Sequence, residues 1–305
     1  MKQFKNILFV NEPSSISKSA AQRAAHLAEK NSAKLTLCDA SKELSRSLPQ
    51  LRKTLEKIHK DQMQAQFEPG VLEKLKAKTK QLTGTPFIVI IKQVITGKHD
   101  LVIKTAEKSS SLFGGLFGET DLHLIRKCPT PVWIVKPSRK KTYSKIVAAV
   151  DPDPDVPSHA ALNKDILDMA ISLAEKENAQ LDIVHAWQIE GEELLRSNRA
   201  ALTSKQVDEM VKEVKEKHHL YMDELLQSFD LSKVKHKVHL LKGVPGKCIP
   251  EHVKKSDADL IVMGTLARTG IEGFFIGNTA EKILRNVDCS VLTVKPEGFK
   301  SPING

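Results

Sequence analysis

The sequence is poor in cysteine and lacks any long apolar run. Its four cysteines, Cys38, Cys128, Cys248 and Cys289, stand singly, with no Cys-x-x-Cys pair. That spacing suggests neither a disulfide framework nor a thiolate zinc site, and the four read as small buried hydrophobes. No stretch reaches the run of about 18 apolar residues that spans a bilayer. The opening residues, MKQFKNILFVNEP, lack the apolar core and small-residue cleavage site of a secretion signal, so a cytoplasmic protein is expected. The phosphate-loop pattern G-x-x-x-x-G-K-[ST] is missing, as is any recognisable Ser/His/Asp or Cys/His set. No catalytic residue is therefore predicted, and weak ATP hydrolysis is the most that is expected of the chain as an enzyme.

What is present is an ordinary globular composition, 40% apolar and 28% charged, over 305 residues. That length favours two domains over one. The net charge of +10 is unevenly spread. Residues 1–140 hold 25 Lys and Arg against 12 Asp and Glu, a balance of +13, whereas the remainder holds 22 against 25. An anionic protein or a membrane surface is the partner such a one-sided field suits. Direct nucleic-acid binding is not expected, because no aromatic residues interleave with the basic ones and no nucleic-acid module is visible. The basic segments LRKTLEKIHK and VLEKLKAKTK carry apolar residues at helical spacing and read as amphipathic surface helices, part of a long charged helix over roughly Arg52–Gln81.

The chain repeats itself. GTPFIVIIKQVITGKHDLVI from Gly84 aligns without a gap on GVPGKCIPEHVKKSDADLIV from Gly243, a spacing of 159 residues. The same spacing carries LIRKCPTPVWIVKP onto ILRNVDCSVLTVKP. Earlier, LAEKNSAKLTLCDA matches LAEKENAQLDIVHA, and KNILFVN matches KIVAAVD. Two copies, residues 1–140 and 141–305, are joined near SRKKTYS. In each, apolar runs alternate with helical patterns, which predicts an α/β fold: two tandem doubly wound domains, each a five-stranded parallel sheet flanked by helices. Ligands belong at the carboxyl ends of such strands. The closing segments VWIVK and VLTVK are apolar and β-branched, and as open edges they would be liabilities, so the two halves are expected to pair as an internal pseudo-dimer. A further dimer of whole chains is a possible next level of assembly that the sequence does not specify.

The stretch MGTLARTGIEGFFIGNTAEKIL, Met263 to Leu284, places Gly264 just after the fourth strand of the second copy and Gly277 just before its last helix. Glycine allows backbone N–H groups to approach an oxyanion, and a helix N-terminus adds unpaired donors and a positive dipole. Asn278 and Thr279 can add side-chain donors. A plain strand-to-helix turn is the alternative, with Asn278 capping the helix and Glu281 closing a capping box.

On these residues, and over essentially its whole length, the chain resembles the universal stress protein family in its tandem two-domain form. In the nucleotide-binding branch of that family, G-x-x-G, nine residues and G-[ST] cradle the phosphates of ATP. A carboxylate ending the first strand and the backbone of the second strand hold the nucleoside. The resemblance implies ATP, with or without magnesium, bound in the second copy by Asp151, the backbone at Val184, and the loop residues Gly264, Ala267, Arg268, Gly277, Asn278 and Thr279. The sequence departs from the family pattern at Ala267, in place of a glycine, and at Asn278, in place of a hydroxyl. The first copy departs further: Thr105, Lys108 and Glu119 replace Gly264, Ala267 and Asn278, and Asn11 replaces Asp151. Its loop offers Leu112, Phe113, Leu116 and Phe117 instead, for packing against the other half or for an apolar, lipid-like ligand. A nucleotide-dependent binding protein, a slow ATPase and a ligand-free scaffold all remain open at this stage. His218 and His219 read as a solvated helix face. His236 and His239, three apart on a strand, face opposite sides, so no metal site is expected from them.

Overall fold

The computed structural model describes residues 4–12, 17–41, 49–107, 117–138, 140, 142–154, 158–197, 202–265 and 276–304. Its centre is one ten-stranded sheet. The first half contributes β1 (Asn6–Val10), β2 (Lys34–Ser41), β3 (Lys78–Thr83), β4 (Leu101–Thr105) and β5 (Val132–Val135). The second contributes β6 (Lys145–Ala149), β7 (Gln180–Trp187), β8 (His236–Lys242), β9 (Leu260–Gly264) and β10 (Ser290–Val294). The order β3-β2-β1-β4-β5-β10-β9-β6-β7-β8 is two doubly wound halves back to back, parallel within each half. The helices are α1 (Ser19–Asn31), α2 (Pro49–Gln64), α3 (Val71–Lys74), α4 (Pro86–Gly97) and α5 (Glu119–Lys127) in the first half. In the second they are α6 (Ser158–Glu177), α7 (Glu192–Leu195), α8 (Ser204–Leu226), α9 (Pro245–Lys255) and α10 (Asn278–Asn286).

The halves meet through β5 and β10, the only antiparallel pairing among the described strands. Trp133 lies directly opposite Leu292. Those two positions are equivalent in the repeat, so the pseudo-twofold axis passes through that pair. Each closing strand removes the other's open edge, the expected pairing. Polar contacts flank it: Arg23 on α1 meets Glu177 on α6 at 2.9 Å, with its guanidinium 3.3 Å from the Tyr143 ring centroid.

The repeat extends to backbone detail. Gly84 and Gly243, at the turn from edge strand to helix, have φ of 139° and 134°, a region L side chains rarely adopt. The left-handed residues after α4 and α9, Lys98 and Asp257, are also 159 apart and share φ of 51°.

The first half corrects one expectation. The long helix over Arg52–Gln81 is instead α2, the short α3 and then β3. Pro69–Gly70 stops helical propagation, with Gly70 at φ 79°. β3 is an exposed edge strand of sequence KTKQLT. It buries little, so it carries no apolar run by which to recognise it.

The apolar sheet faces are covered by helices, and two core clusters lie on opposite sides of the sheet. Phe117 is buried in one of them with Ile125 and Ile134, whereas Leu112, Phe113 and Leu116 lie outside the described residues. Three cysteines are buried and Cys248 is half-buried. Among the described residues, no helix is long and apolar enough to cross a membrane.

Candidate functional site

The principal cavity, about 1230 Å³, opens at the carboxyl ends of β6, β7 and β9 in the second half. Asp151 stands just beyond β6. Its N–H donates to Asn163 Oδ1 (3.0 Å), and Asn163 Nδ2 donates back to its carbonyl (2.6 Å). This double clamp from α6 fixes the strand end and leaves the carboxylate on the cavity wall. His159 Nδ1 lies 3.4 Å from one carboxylate oxygen, and His185 Nδ1 3.9 Å from the other.

His185 is buried on β7, between Val150 O (3.3 Å) and His218 Nδ1 (2.9 Å) on α8. Burial lowers its pKa, against the opposing pull of Asp151, so the ring is neutral at pH 7. A neutral His185 that donates from Nδ1 to Val150 accepts at Nε2 from His218. His218 is therefore part of the wall and not a solvated face; its ring lies 5.8 Å from that of Trp187. Of the two neighbours, His219 is the exposed one.

Val184 is fully buried behind this wall, and its carbonyl accepts the N–H of Val150 at 3.0 Å. The second strand reaches the cavity through His185, Ala186, Trp187 and Gln188.

At the other end, Gly264 closes β9 beneath α6. A Cβ there would come within 2.7 Å of Leu162 Cδ2, so any larger residue would oblige that side chain to shift. Gly277 N–H donates to Thr265 O (3.0 Å), which draws together the two ends of the loop. Ala267 and Arg268 lie outside the described residues. Gly277 is itself the N-cap of α10, with φ −61° and ψ 142°, and no side chain caps the helix. The capping box of Asn278 and Glu281 therefore does not form: Asn278 is the first helical residue, and Glu281 pairs with Arg285 (2.8 Å) and Arg126 (3.1 Å). Asn278 and Thr279 are exposed on the cavity wall beside the uncapped helix start.

Three wall residues come from the first half. His123, Arg126 and Lys127 on α5 face the start of α10. Sequence reasoning passed over them, although the signal was available: once the closing strands pair about a twofold, the helices preceding them must lie side by side.

At the corresponding place in the first half, the described side chains pair with one another. Lys104 and Asp121, at the positions of Met263 and Ala280, form a buried pair at 3.0 Å. Lys104 Nζ also donates to Glu12 (2.7 Å) and Thr105 O (3.1 Å) and lies 3.4 Å from Glu107. Burial alone would lower Lys104, but Asp121, Glu12 and Glu107 outweigh it and hold the ammonium charged. Burial pushes the Asp121 carboxyl upward, and its Oδ2 accepts the N–H groups of Glu107 (2.8 Å) and Gly118 (3.2 Å). Near β1, Asn11 donates to Asp39 (2.9 Å) and accepts from Gln66 (2.8 Å). Side chains of the chain itself occupy the region.

A profile of the Universal stress protein family matches residues 3–136 and 142–295. Universal stress protein E of Escherichia coli K12 is 31% identical, across 99% of this chain and 98% of its own. A solved protein of unknown function from Pseudomonas aeruginosa PAO1 superposes with a TM-score of 0.70 at 26% identity, covering 97% of this chain and 94% of that one. A universal stress protein from Archaeoglobus fulgidus shares the fold, with a TM-score of 0.60 at 17% identity over 95% of this chain and 98% of its own. Two internal copies of one doubly wound fold, each matched by the same profile, place this chain in the universal stress protein family, in its tandem two-domain form.

Proposed function

We propose that the second half binds one adenine nucleotide, ATP foremost, and that its occupancy regulates what this stress-response protein associates with. The observation that carries the reading is the cavity in which the Asp151 carboxylate stands opposite the exposed, uncapped start of α10. An open helix N-terminus presents backbone N–H donors and a positive dipole to a polyphosphate. Asn278 and Thr279 add side-chain donors, and Arg126 and Lys127 bring charge from the other half. Asp151 and His159 are placed to hydrogen-bond ribose hydroxyls, and His185 and Trp187 offer ring surface to a base. Because the wall is drawn from both halves, binding there bears on how they are held together, which suits a nucleotide-dependent regulator.

Isothermal titration of the full chain with ATP and magnesium tests the proposal. One site per chain is expected. Gly277→Val should abolish binding by filling the space beside the helix start. Asp151→Ala should weaken it roughly 10- to 100-fold, the effect of losing charge-assisted hydrogen bonds of about 1.5–3 kcal/mol. No heat with the parent chain, or an unchanged affinity in Gly277→Val, would sink the reading. Phosphate release that disappears with Asp151→Ala would extend it to slow hydrolysis.

A further inference from the structure

Away from that cavity, three side chains from three elements converge on one face of the sheet. Asp182 is the third residue of β7, His239 the fourth of β8, and His252 lies in the last turn of α9. The parallel register aligns Asp182 with Lys237 and Val184 with His239. Alternation along the strands then turns residues 182, 184, 237 and 239 to the same side, the side α9 covers. His236 points the opposite way and hydrogen-bonds Val234 O at 3.0 Å. His236 and His239 thus face opposite sides, and His239 meets Asp182 and His252 instead.

We propose that Asp182, His239 and His252 form a binding site for one divalent transition-metal ion, with zinc the best match. His252 Nε2 lies 3.1 Å and His239 Nε2 3.6 Å from the same oxygen, Asp182 Oδ2. The three donor atoms all lie within 4.8 Å of one another. Ligand atoms bound tetrahedrally at the usual zinc distances of about 2.0–2.1 Å stand roughly 3.3 Å apart, close to both Asp182–His separations, so closing the set on an ion needs mainly the two imidazoles to draw together. Two imidazoles and one carboxylate are borderline-soft ligands that suit zinc or a neighbouring first-row metal rather than calcium or magnesium.

Two features go beyond an ordinary Asp–His hydrogen bond. First, only His252 comes within hydrogen-bond distance of that oxygen: the buried His239 Nε2, 3.6 Å away, has no hydrogen-bond partner among the described residues. A metal ion would satisfy all three donors together. Second, Gln180 Nε2 donates to the other oxygen, Asp182 Oδ1, at 2.9 Å, and so orients the carboxylate with Oδ2 toward the histidines. Outer partners of this kind are usual around bound metals. The His239 side chain is 30% exposed although its Nε2 is buried, so the group lies just beneath the surface, where an ion can enter.

The first half gives the internal comparison. Thr36, Lys80 and Gln93 occupy the positions of Asp182, His239 and His252, and Lys80 Nζ donates to Gln93 Oε1 at 2.9 Å. A fixed ammonium stands there where the second half gathers an anionic oxygen and two imidazoles.

The test compares the full parent chain with His239→Lys/His252→Gln, which installs the pair found in the first half and is compatible with the fold there. Both proteins are stripped with a chelator and titrated with cobalt(II) and then zinc, following the visible absorption of cobalt, zinc stoichiometry and the thermal midpoint. The parent should bind one equivalent more than the variant. It should develop low-coordinate cobalt absorption that zinc bleaches, and its midpoint should rise on zinc binding. Asp182→Asn should bind at least about 10-fold more weakly. Equal stoichiometry and equal spectra in parent and variant would assign any uptake to scattered histidines and thiols and overturn the proposal, as would a parent that takes up neither metal. If the double variant loses its far-UV circular dichroism, His252→Gln alone replaces it, with the same two outcomes.

Discussion

Replacing Lys104 by methionine removes the one ammonium in a pocket of three carboxylates. Lys104 is 2% and Asp121 0% exposed. Breaking a buried pair by removing one partner costs about 3–5 kcal/mol, because the remaining charge is left without compensation. The lower end applies here. Asp121 keeps the N–H groups of Glu107 and Gly118, and methionine retains most of the packing of the lysine stem. About 3 kcal/mol in a chain of this size lowers the thermal midpoint by roughly 6–12 °C. The informative variant is the double one, Lys104→Met/Asp121→Ala, which installs the residues of the second half, Met263 and Ala280. With both charges gone the desolvation penalty goes too, and the less buried Glu12 and Glu107 can turn toward water. The double variant should therefore come within about 1 kcal/mol of the parent, a coupling of at least about 2 kcal/mol once the cost of Asp121→Ala is subtracted as well. Urea unfolding of parent, both singles and the double measures the cycle. A double variant as unstable as the sum of its singles would refute the argument, as would a Lys104→Met cost below about 1 kcal/mol.

Burial depresses Lys295 to about 8, with Nζ donating to Thr265 Oγ1 at 2.6 Å and Arg126 O at 3.1 Å. Between about pH 8 and the unfolded value of 10.5 the unfolded chain binds more protons, so this group's contribution to stability rises with pH across that window, by on the order of 3 kcal/mol. The buried thiols act in the opposite sense, so the readout is the difference from Lys295→Met: thermal-midpoint profiles of parent and variant that run parallel from pH 7.5 to 10.5 would contradict the assignment. Arg126→Ala should weaken ATP binding by the second half about 10-fold, the loss of one partly screened charge-assisted contact. Isothermal titration giving the parent's affinity would show that α5 only lines the cavity.

Much of the fold could be read from the chain because the repeat doubles every signal. A weak strand in one half is supported by its counterpart in the other, and buried strands such as β1 and β9 must be apolar on both faces. β3 could not be read, since an edge strand exposed on both faces has no such requirement. The site was legible only where one residue's chemistry suffices. Asp151, Gly264 and Gly277 suggest nucleotide contacts by their own side chain or lack of one. Arg126 and Lys127 depend on which helices the pseudo-twofold brings together, and Asp182, His239 and His252 on strand register and the turn phase of α9. Gly264 shows the converse limit, for a glycine that reads as a phosphate contact also makes room for the Leu162 side chain.

The antiparallel seam between β5 and β10 has an evolutionary consequence. In a dimer of identical chains joined by such a seam, any substitution appears at both sites at once, because symmetry copies it. Joining the two copies in one polypeptide ends that obligation while holding them at an effective concentration that free subunits seldom reach. Lys104 could then fill one pocket without filling the other, and two imidazoles could gather under α9 while a lysine took the same place under α4. Each half of this chain is free to lose what the other keeps.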